Sequence, residues 1–271
     1  MSKEFERCSM GKLKVLITSV SRKVSLVKAF KEAGWCVVAQ DQNLDSPALY
    51  FADWRVQHVS PAIKVDLIVP TRDAELWDYD TPLKPRMSKE LCFDRLAFNT
   101  HLKQLGFAVP HVYYVRPRTG SVTADFKTLP KEEQLLWQEF VNADEYSIDV
   151  FATFEGDVIS VVPRRRVKIV GGEAWVSVTV ENSAILNGAL ELSRKLGLIG
   201  HNVLQCFLVD GSPIWLEVNC RFGGASALAI HAGCKSPEWL AKLVRGERVK
   251  PCIGEYKVGV KMLRYTEDIF V

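Results

Sequence analysis

Hydrophobic and polar positions along the chain fall first into a strand, helix, strand rhythm. "KLKVLITSV" (12–20) reads as a buried strand, and "SRKVSLVKAFKEAG" (21–34) as a loop and a helix closed by Gly34. "WCVVAQD" (35–41) is a second strand ending in Asp41, and the apolar run "VDLIVPT" (65–71) adds another. This succession predicts an open parallel sheet with helices on its faces over the first ~80 residues. Such sheets bind ligands at the carboxyl ends of their strands, which makes "TSVSRK" (18–23) and "DQNLDSP" (41–47) candidate site loops. No G-x-G-x-x-G is present, so the plain reading of this region is a scaffold, not a dinucleotide site.

Further along, the period changes. "SKELCFDRLAFNTHLKQLGFAVP" (88–110) carries apolar residues at helical spacing, with Ser88 as a cap candidate and Gly106 and Pro110 at its end, and predicts one amphipathic helix. "WQEFVNADEYSIDVFATFEGDVISVVPRRR" (137–166) reads as strands around a Glu-Gly-Asp turn at 155–157. The strand "EAWVSVTVE" (173–181) and the helix "SAILNGALELSRKLGL" (183–198) follow. "HNVLQCFLVD" and "SPIWLEVNCRF" are then joined by Asp210-Gly211, the strongest short hairpin signal in the chain.

That hairpin carries the candidate chemistry. Strand alternation puts Glu217, Asn219 and Arg221 on one face and Leu216 and Val218 on the other. Acid and amide oxygens suit Mg²⁺, and the arginine offers a planar fork for phosphate or carboxylate. Pairing about Asp210-Gly211 brings Gln205 within reach of the same rows as a third oxygen ligand. The bland alternative is an amphipathic strand with a solvated polar face. In "PRRRVK" (163–168), Arg164 and Arg166 share a face suited to an acidic substrate, with Arg165 pointing away; the alternative there is a charged edge strand.

Composition narrows the classes. The chain of 271 residues, 48% hydrophobic, can bury a substantial core. A net charge of +3 with no long basic run argues against a nucleic-acid partner. Neither a signal-peptide h-region nor a stretch near the roughly 20 apolar residues of a membrane span is present, so no membrane partner and a cytoplasmic location are expected. Seven scattered cysteines without C-x-x-C spacing predict reduced, mostly buried thiols and no zinc site. His201 and His231 lie near the ends of the hairpin region and read as structural residues before catalytic ones. Trp137 and Met87 read as packing.

Three of these stretches, together with "VRPRTGS" (115–121), resemble the ATP-grasp superfamily, and within it proteins similar to the carbamoyl-phosphate synthase large subunit. The resemblance implies an α/β fold: an N-terminal parallel-sheet (pre-ATP-grasp) domain at 1–84, then an ATP-grasp α+β nucleotide-binding domain at 85–271 with an abbreviated small subdomain. In "FDRLAFNTHLKQLGFAVP" it implies that Arg95 contacts ATP phosphate, and in "VRPRTGS" that Arg116 ends the strand running into the phosphate-covering loop. "LWQEFVNADEYSIDVF" resembles the adenine hinge, with Glu139, Phe140 and Val141 meeting the base and Glu145 the ribose. The hairpin resembles the family's metal site, with Gln205, Glu217 and Asn219 on Mg²⁺ (or Mn²⁺) and Arg221 on phosphate or the acyl phosphate; Arg164 and Arg166 would hold the acid.

The implied activity is an ATP- and Mg²⁺-dependent ligase that activates a small-molecule carboxylate for attack by an amine, in a chain free to form a homo-oligomer. Alternatives are a nucleotide-binding regulatory protein, or a kinase-like step on carbamate or another small acid. The chain departs from the family pattern in two ways. The covering loop "RTGSVTADF" (118–126) has a single glycine. The chain is also short around 60–64, 77–86 and 113–115, where connecting elements belong.

Overall fold

The computed structural model describes residues 11–60, 62–117 and 134–271, the side chains of 113–117 and 134–137 excepted. A four-stranded parallel sheet comes first, in the order β3-β2-β1-β4. Its strands are β1 (Lys14–Ile17), β2 (Cys36–Gln40), β3 (Trp54–Val56) and β4 (Leu67–Val69). β2 is buried at every position because both of its faces are covered, which is why it reads as a continuous apolar run. α1 (Val24–Glu32) links β1 to β2 and buries Leu26, Val27 and Phe30; Gly34 then turns the chain at φ +88°. β3 lies outside the predicted strands, because its three residues are too few to display a period.

Among the described residues, the connection from β3 to β4 contains no helix. Between residues 57 and 66 the chain crosses from one edge of the sheet to the other, and Val59, Ile63 and Val65 pack with Leu16 and Val38. An irregular segment thus covers a face that a longer crossover would cover with a helix.

The segment predicted as one helix from Ser88 is two, a correction with a local cause. α2 (Lys89–Phe93) stops at Asp94, whose backbone is extended, and α3 (Arg95–Gln104) starts after it. The Asp94 carboxylate accepts the amides of Leu96 at 2.9 Å and Ala97 at 3.0 Å. Satisfying two orphan amides at a new N-terminus outcompetes a continuous helix through an aspartate. Arg95 consequently heads a helix.

β5 (Val112–Pro117) spans the short region at 113–115, with a register irregularity between Val112 and Tyr114, and pairs antiparallel with β6 (Gln134–Gln138) in a separate two-stranded sheet. The larger sheet is antiparallel, in the order β11-β10-β7-β8-β9-β12. Its members are β7 (Glu145–Ala152), β8 (Val158–Val170), β9 (Glu173–Thr179), β10 (Gly200–Val209), β11 (Ser212–Asn219) and β12 (Lys261–Leu263). α4 (Ser183–Leu196) is capped by Asn182, whose side chain accepts Ile185 N at 2.9 Å, and is closed by Gly197 in the left-handed region. α5 (Ser226–Ala232) and α6 (Ser236–Val244) follow β11.

One core runs through both sheets. Trp35 Nε1 donates to the Pro237 carbonyl at 2.8 Å, and Phe30 meets Phe222 edge to face with centroids 5.6 Å apart. Burying side chains of this size contributes roughly 1.5–3 kcal/mol each. This packing of α1 against the helices after β11 sets the carboxyl ends of β1 and β4 beside the metal-face candidate.

Candidate functional site

Asp210 (φ 48°) and Gly211 (φ 77°) both adopt the left-handed conformation, a two-residue turn suited to the twist of β10 and β11. It fixes the register so that Gln205 faces Glu217 and Val203 faces Asn219. The three oxygen-bearing side chains therefore lie on adjacent rows, as the alternation predicts. A cleft of about 440 Å³ opens over them, lined by Arg164, Arg166, Gln205, Glu217, Asn219 and Arg221, and by loops from the parallel sheet.

Each oxygen ligand candidate touches a donor. Glu217 Oε2 accepts Arg95 Nη2 at 2.6 Å and Oε1 accepts Asn219 Nδ2 at 3.1 Å. Asn219 Oδ1 accepts Arg221 Nη2 at 2.8 Å, and Gln205 Oε1 accepts Arg166 Nη1 at 3.0 Å. Arg166 also pairs with Glu145, while its Nε is buried with no acceptor among the described residues. Arg221 Nε is held by Asp73 Oδ2 at 2.8 Å, and Asp73 Oδ1 accepts Cys220 N at 3.1 Å. Asp73 follows β4, so the parallel sheet positions the arginine of the hairpin.

Arg164 is held from beneath. Its Nε donates to Asp149 Oδ2 at 2.7 Å, with both side chains buried. His201 Nε2 lies 2.9 Å from Asp149 Oδ1, and His201 Nδ1 lies 2.7 Å from Ser236 Oγ. Ser226 Oγ donates to Asp149 Oδ1 at 2.5 Å and accepts Gly223 N at 2.9 Å. Burial would raise the Asp149 pKa, but the Arg164 guanidinium and the hydrogen bonds from His201 and Ser226 overcome it and hold the carboxyl well below its usual range. No acceptor other than Asp149 meets the Arg164 side chain among the described residues, and Arg164 lines the cleft. His201 is thus a buried network member, stacked on Phe222 with centroids 4.2 Å apart.

The other predicted residues divide. Arg95 and Glu145 do not line the cleft themselves but pair with Glu217 and Arg166, which do. Glu139, Phe140 and Val141 occupy the loop from β6 to β7 and are not among the cleft's lining; Glu139 Oε1 accepts His111 N at 3.0 Å, and Phe140 is 91% exposed. The backbone of Arg116 pairs with Leu135, but its side chain and the covering loop 118–126 lie outside the described residues. Arg165 points away and pairs with Asp144, and β8 is an interior strand, not an edge.

Sequence reasoning missed Arg72, Asp73 and Asp149, and it reached Lys23 only as the last residue of the candidate loop 18–23. A signal existed for Asp149, a lone acid inside the apolar run 148–152, where a charge must be paired to be buried. None existed for Asp73, which acts 148 positions away.

Among the described residues no group of three His, Cys, Asp or Glu could hold a metal by itself. One carboxylate and two carboxamides are hard oxygen donors suited to Mg²⁺ when phosphate or water oxygens complete the shell, and the orphaned Arg166 Nε beside them favours an anion. The residues fit a metal–phosphate pair. The six described cysteines form no disulfide; Cys92 Sγ lies 3.6 Å from Cys220 Sγ behind the metal face. No described helix is long and apolar enough to cross a membrane.

A sequence family described as "ATP-grasp in the biosynthetic pathway with Ter operon" matches residues 131–267. No curated protein matches the chain in sequence. Among solved structures, the chain is similar to N5-carboxyaminoimidazole synthetase from Staphylococcus aureus complexed with ADP, at 14% identity over 88% of this chain and 79% of that one, with a TM-score of 0.65. It is also similar to the phosphoribosylaminoimidazole carboxylase ATPase subunit from Aquifex aeolicus, at 18% identity over 88% and 78% of the two chains, TM-score 0.65. The biotin carboxylase domain of Hydrogenobacter thermophilus 2-oxoglutarate carboxylase, solved with MgADP and bicarbonate, matches at 14% identity over 92% and 73%, TM-score 0.65. At these identities the likeness is one of fold.

Proposed function

The chain belongs to the ATP-grasp family, and from that premise we propose that it is an ATP- and Mg²⁺-dependent ligase that activates a carboxylate as an acyl phosphate for attack by an amine or related nucleophile. The observation that carries the reading is the direct pairing of Gln205 with Glu217, with Asn219 on the next row and arginines on every side. The complexes of the Staphylococcus aureus synthetase with ADP and of the Hydrogenobacter thermophilus domain with MgADP support the nucleotide and metal parts of it.

Phosphoryl transfer asks for alignment and charge neutralisation more than for a protein nucleophile. When bound, Mg²⁺ offsets phosphate charge at the transferring group. Gln205, Glu217 and Asn219 supply its protein oxygens, while Arg95 and Arg116 neutralise phosphates and Glu139, Phe140, Val141 and Glu145 receive the nucleoside. Arg164 and Arg166 hold the acid, and Arg221, oriented by Asp73 and Asn219, faces the reacting oxygens. A carboxylate oxygen attacks the γ-phosphorus, and the bond from that phosphorus to ADP breaks. The amine then attacks the acyl carbon, phosphate leaves, and the amine proton passes to solvent.

The test is acid-dependent ADP release, screened with carboxylates, including bicarbonate and carbamate, against amines. Release that requires an acid and disappears in Glu217→Gln is the expected result. Nucleotide binding without any acid-dependent release would instead identify a regulatory nucleotide-binding protein. Turnover retained in Glu217→Gln would sink the assignment.

A further inference from the structure

The cleft has a second cationic end. Lys23 lies at the start of α1 and Arg72 follows β4, both at the carboxyl edge of the parallel sheet and both lining the cleft. The other four arginines of the lining each have a carboxylate: Arg164 has Asp149, Arg166 has Glu145, Arg221 has Asp73 and Arg264 has Glu173. Lys23 and Arg72 have none within ion-pair distance among the described residues, and Lys23 Nζ donates to the Ser19 carbonyl at 3.2 Å.

The two carboxylates that act on Lys23, Glu75 and Asp41, are hydrogen-bonded elsewhere. Asp41 accepts the amides of Ser21 at 2.7 Å and Asn43 at 3.0 Å, and Glu75 accepts the hydroxyls of Thr18 and Ser19. Burial, then Arg221 and Arg72, push the Lys23 pKa down, against smaller opposing effects of Glu75 and Asp41. A partly buried lysine crowded by two guanidiniums is a feature that packing alone disfavours.

The loop that presents Lys23 is itself held in an unfavourable shape. Ser19 (φ 48°) and Ser21 (φ 46°) are non-glycine residues in the left-handed region. Ser19 N donates to Gln40 Oε1 at 3.1 Å, and Ser21 N to Asp41, so β2 fixes a backbone that the sequence would not choose. The first turn of α1 carries no acidic residue that could serve as an internal counterion.

We propose that Lys23 and Arg72 form an anion subsite for a second negatively charged group, carboxylate or phosphate, of the acid substrate. The inference rests on the ligase reading for the words "acid substrate" and on the cleft alone for the subsite. The reacting carboxylate lies toward Arg221, whose guanidinium lines the same cleft. The substrate class that follows is an acid with at least two anionic groups, and acids with neutral tails leave Lys23 and Arg72 uncompensated.

Inorganic phosphate and, separately, acetate are titrated into the intact protein with and without saturating MgADP, and the melting temperature is followed. Wild type, Lys23→Met, Arg72→Met and the exposed control Arg248→Met are compared. The expected result is an anion-dependent rise in wild type and control, with at least ten-fold weaker apparent affinity in Lys23→Met and in Arg72→Met. Stronger response to phosphate identifies a phosphorylated acid, and stronger response to acetate a dicarboxylate. No anion-dependent rise in wild type, or equal rises in all four proteins, overturns the subsite. Failure of MgADP to shift wild type counts against the nucleotide reading instead, because the titration without nucleotide still decides the subsite.

Discussion

Arg95, the first residue of α3, meets Glu217 of β11 at 2.6 Å, an ion pair between residues 122 positions apart. The break at Asp94 makes this possible, since it starts a helix at Arg95 beside the hairpin. One carboxylate therefore serves both a cation of the protein and, in the proposed function, a metal.

Replacing Arg95 by Ala separates the roles. Arg95 is 67% exposed in the pair, so its loss changes stability by at most about 1 kcal/mol. Loss of a phosphate contact should weaken ADP about ten-fold, the equivalent of about 1.4 kcal/mol. Isothermal titration and urea unfolding of the variant check the two halves. Unchanged ADP affinity would remove Arg95 from the nucleotide site.

Asp149→Asn tests the buried network. Removing one partner of a buried ion pair costs about 3–5 kcal/mol, because Arg164 is left without its counter-charge. The Asp149 pKa is depressed in the folded state, so its stabilisation is complete above the unfolded carboxylate value of about 4 and is lost as pH falls below it toward the depressed folded value. Urea midpoints measured from pH 6 down to pH 3 should fall more steeply in the wild type than in Asp149→Asn. Parallel curves would show that Asp149 is not the group concerned.

The cysteines should differ sharply in reactivity. A hydrogen bond from Cys220 lowers the Cys92 pKa despite burial, whereas burial pushes Cys206 and Cys234 up to about 12. The hydrogen bond to Cys92 and burial hold Cys220 well above its ordinary value. With iodoacetamide at pH 8, peptide mapping should show Cys92 alkylated first among the described cysteines. Earlier modification of Cys252, whose thiol is raised by burial, would contradict this.

How much of this was legible depends on the range of the interaction. The hairpin was readable because Asp210-Gly211 fixes a turn type and alternation fixes a face, and the observed Gln205–Glu217 pairing needs nothing more. Arg164 and Arg166 likewise follow from period two. The helix break at Asp94 was hidden, since an aspartate reads equally well inside a polar helix face and as a cap, and only the packing of α3 decides. β3 was too short to announce itself. The hold of Asp73 on Arg221 and the place of Lys23 in the cleft depend on how the two sheets dock, which no local pattern records.

The proposed chemistry requires a metal–nucleotide site on the face of Glu217 and Asn219. The direct measurement is ADP-dependent stabilisation with and without Mg²⁺, in wild type and Glu217→Gln, by thermal unfolding. At a hundred times its dissociation constant a ligand adds about 2.7 kcal/mol. A Mg²⁺-dependent increment of that order is expected in wild type and none in the variant, whose unfolding without ligand stays within about 1 kcal/mol of wild type. An equal Mg²⁺-dependent increment in both proteins, or no response of the wild type to any nucleotide, would contradict it.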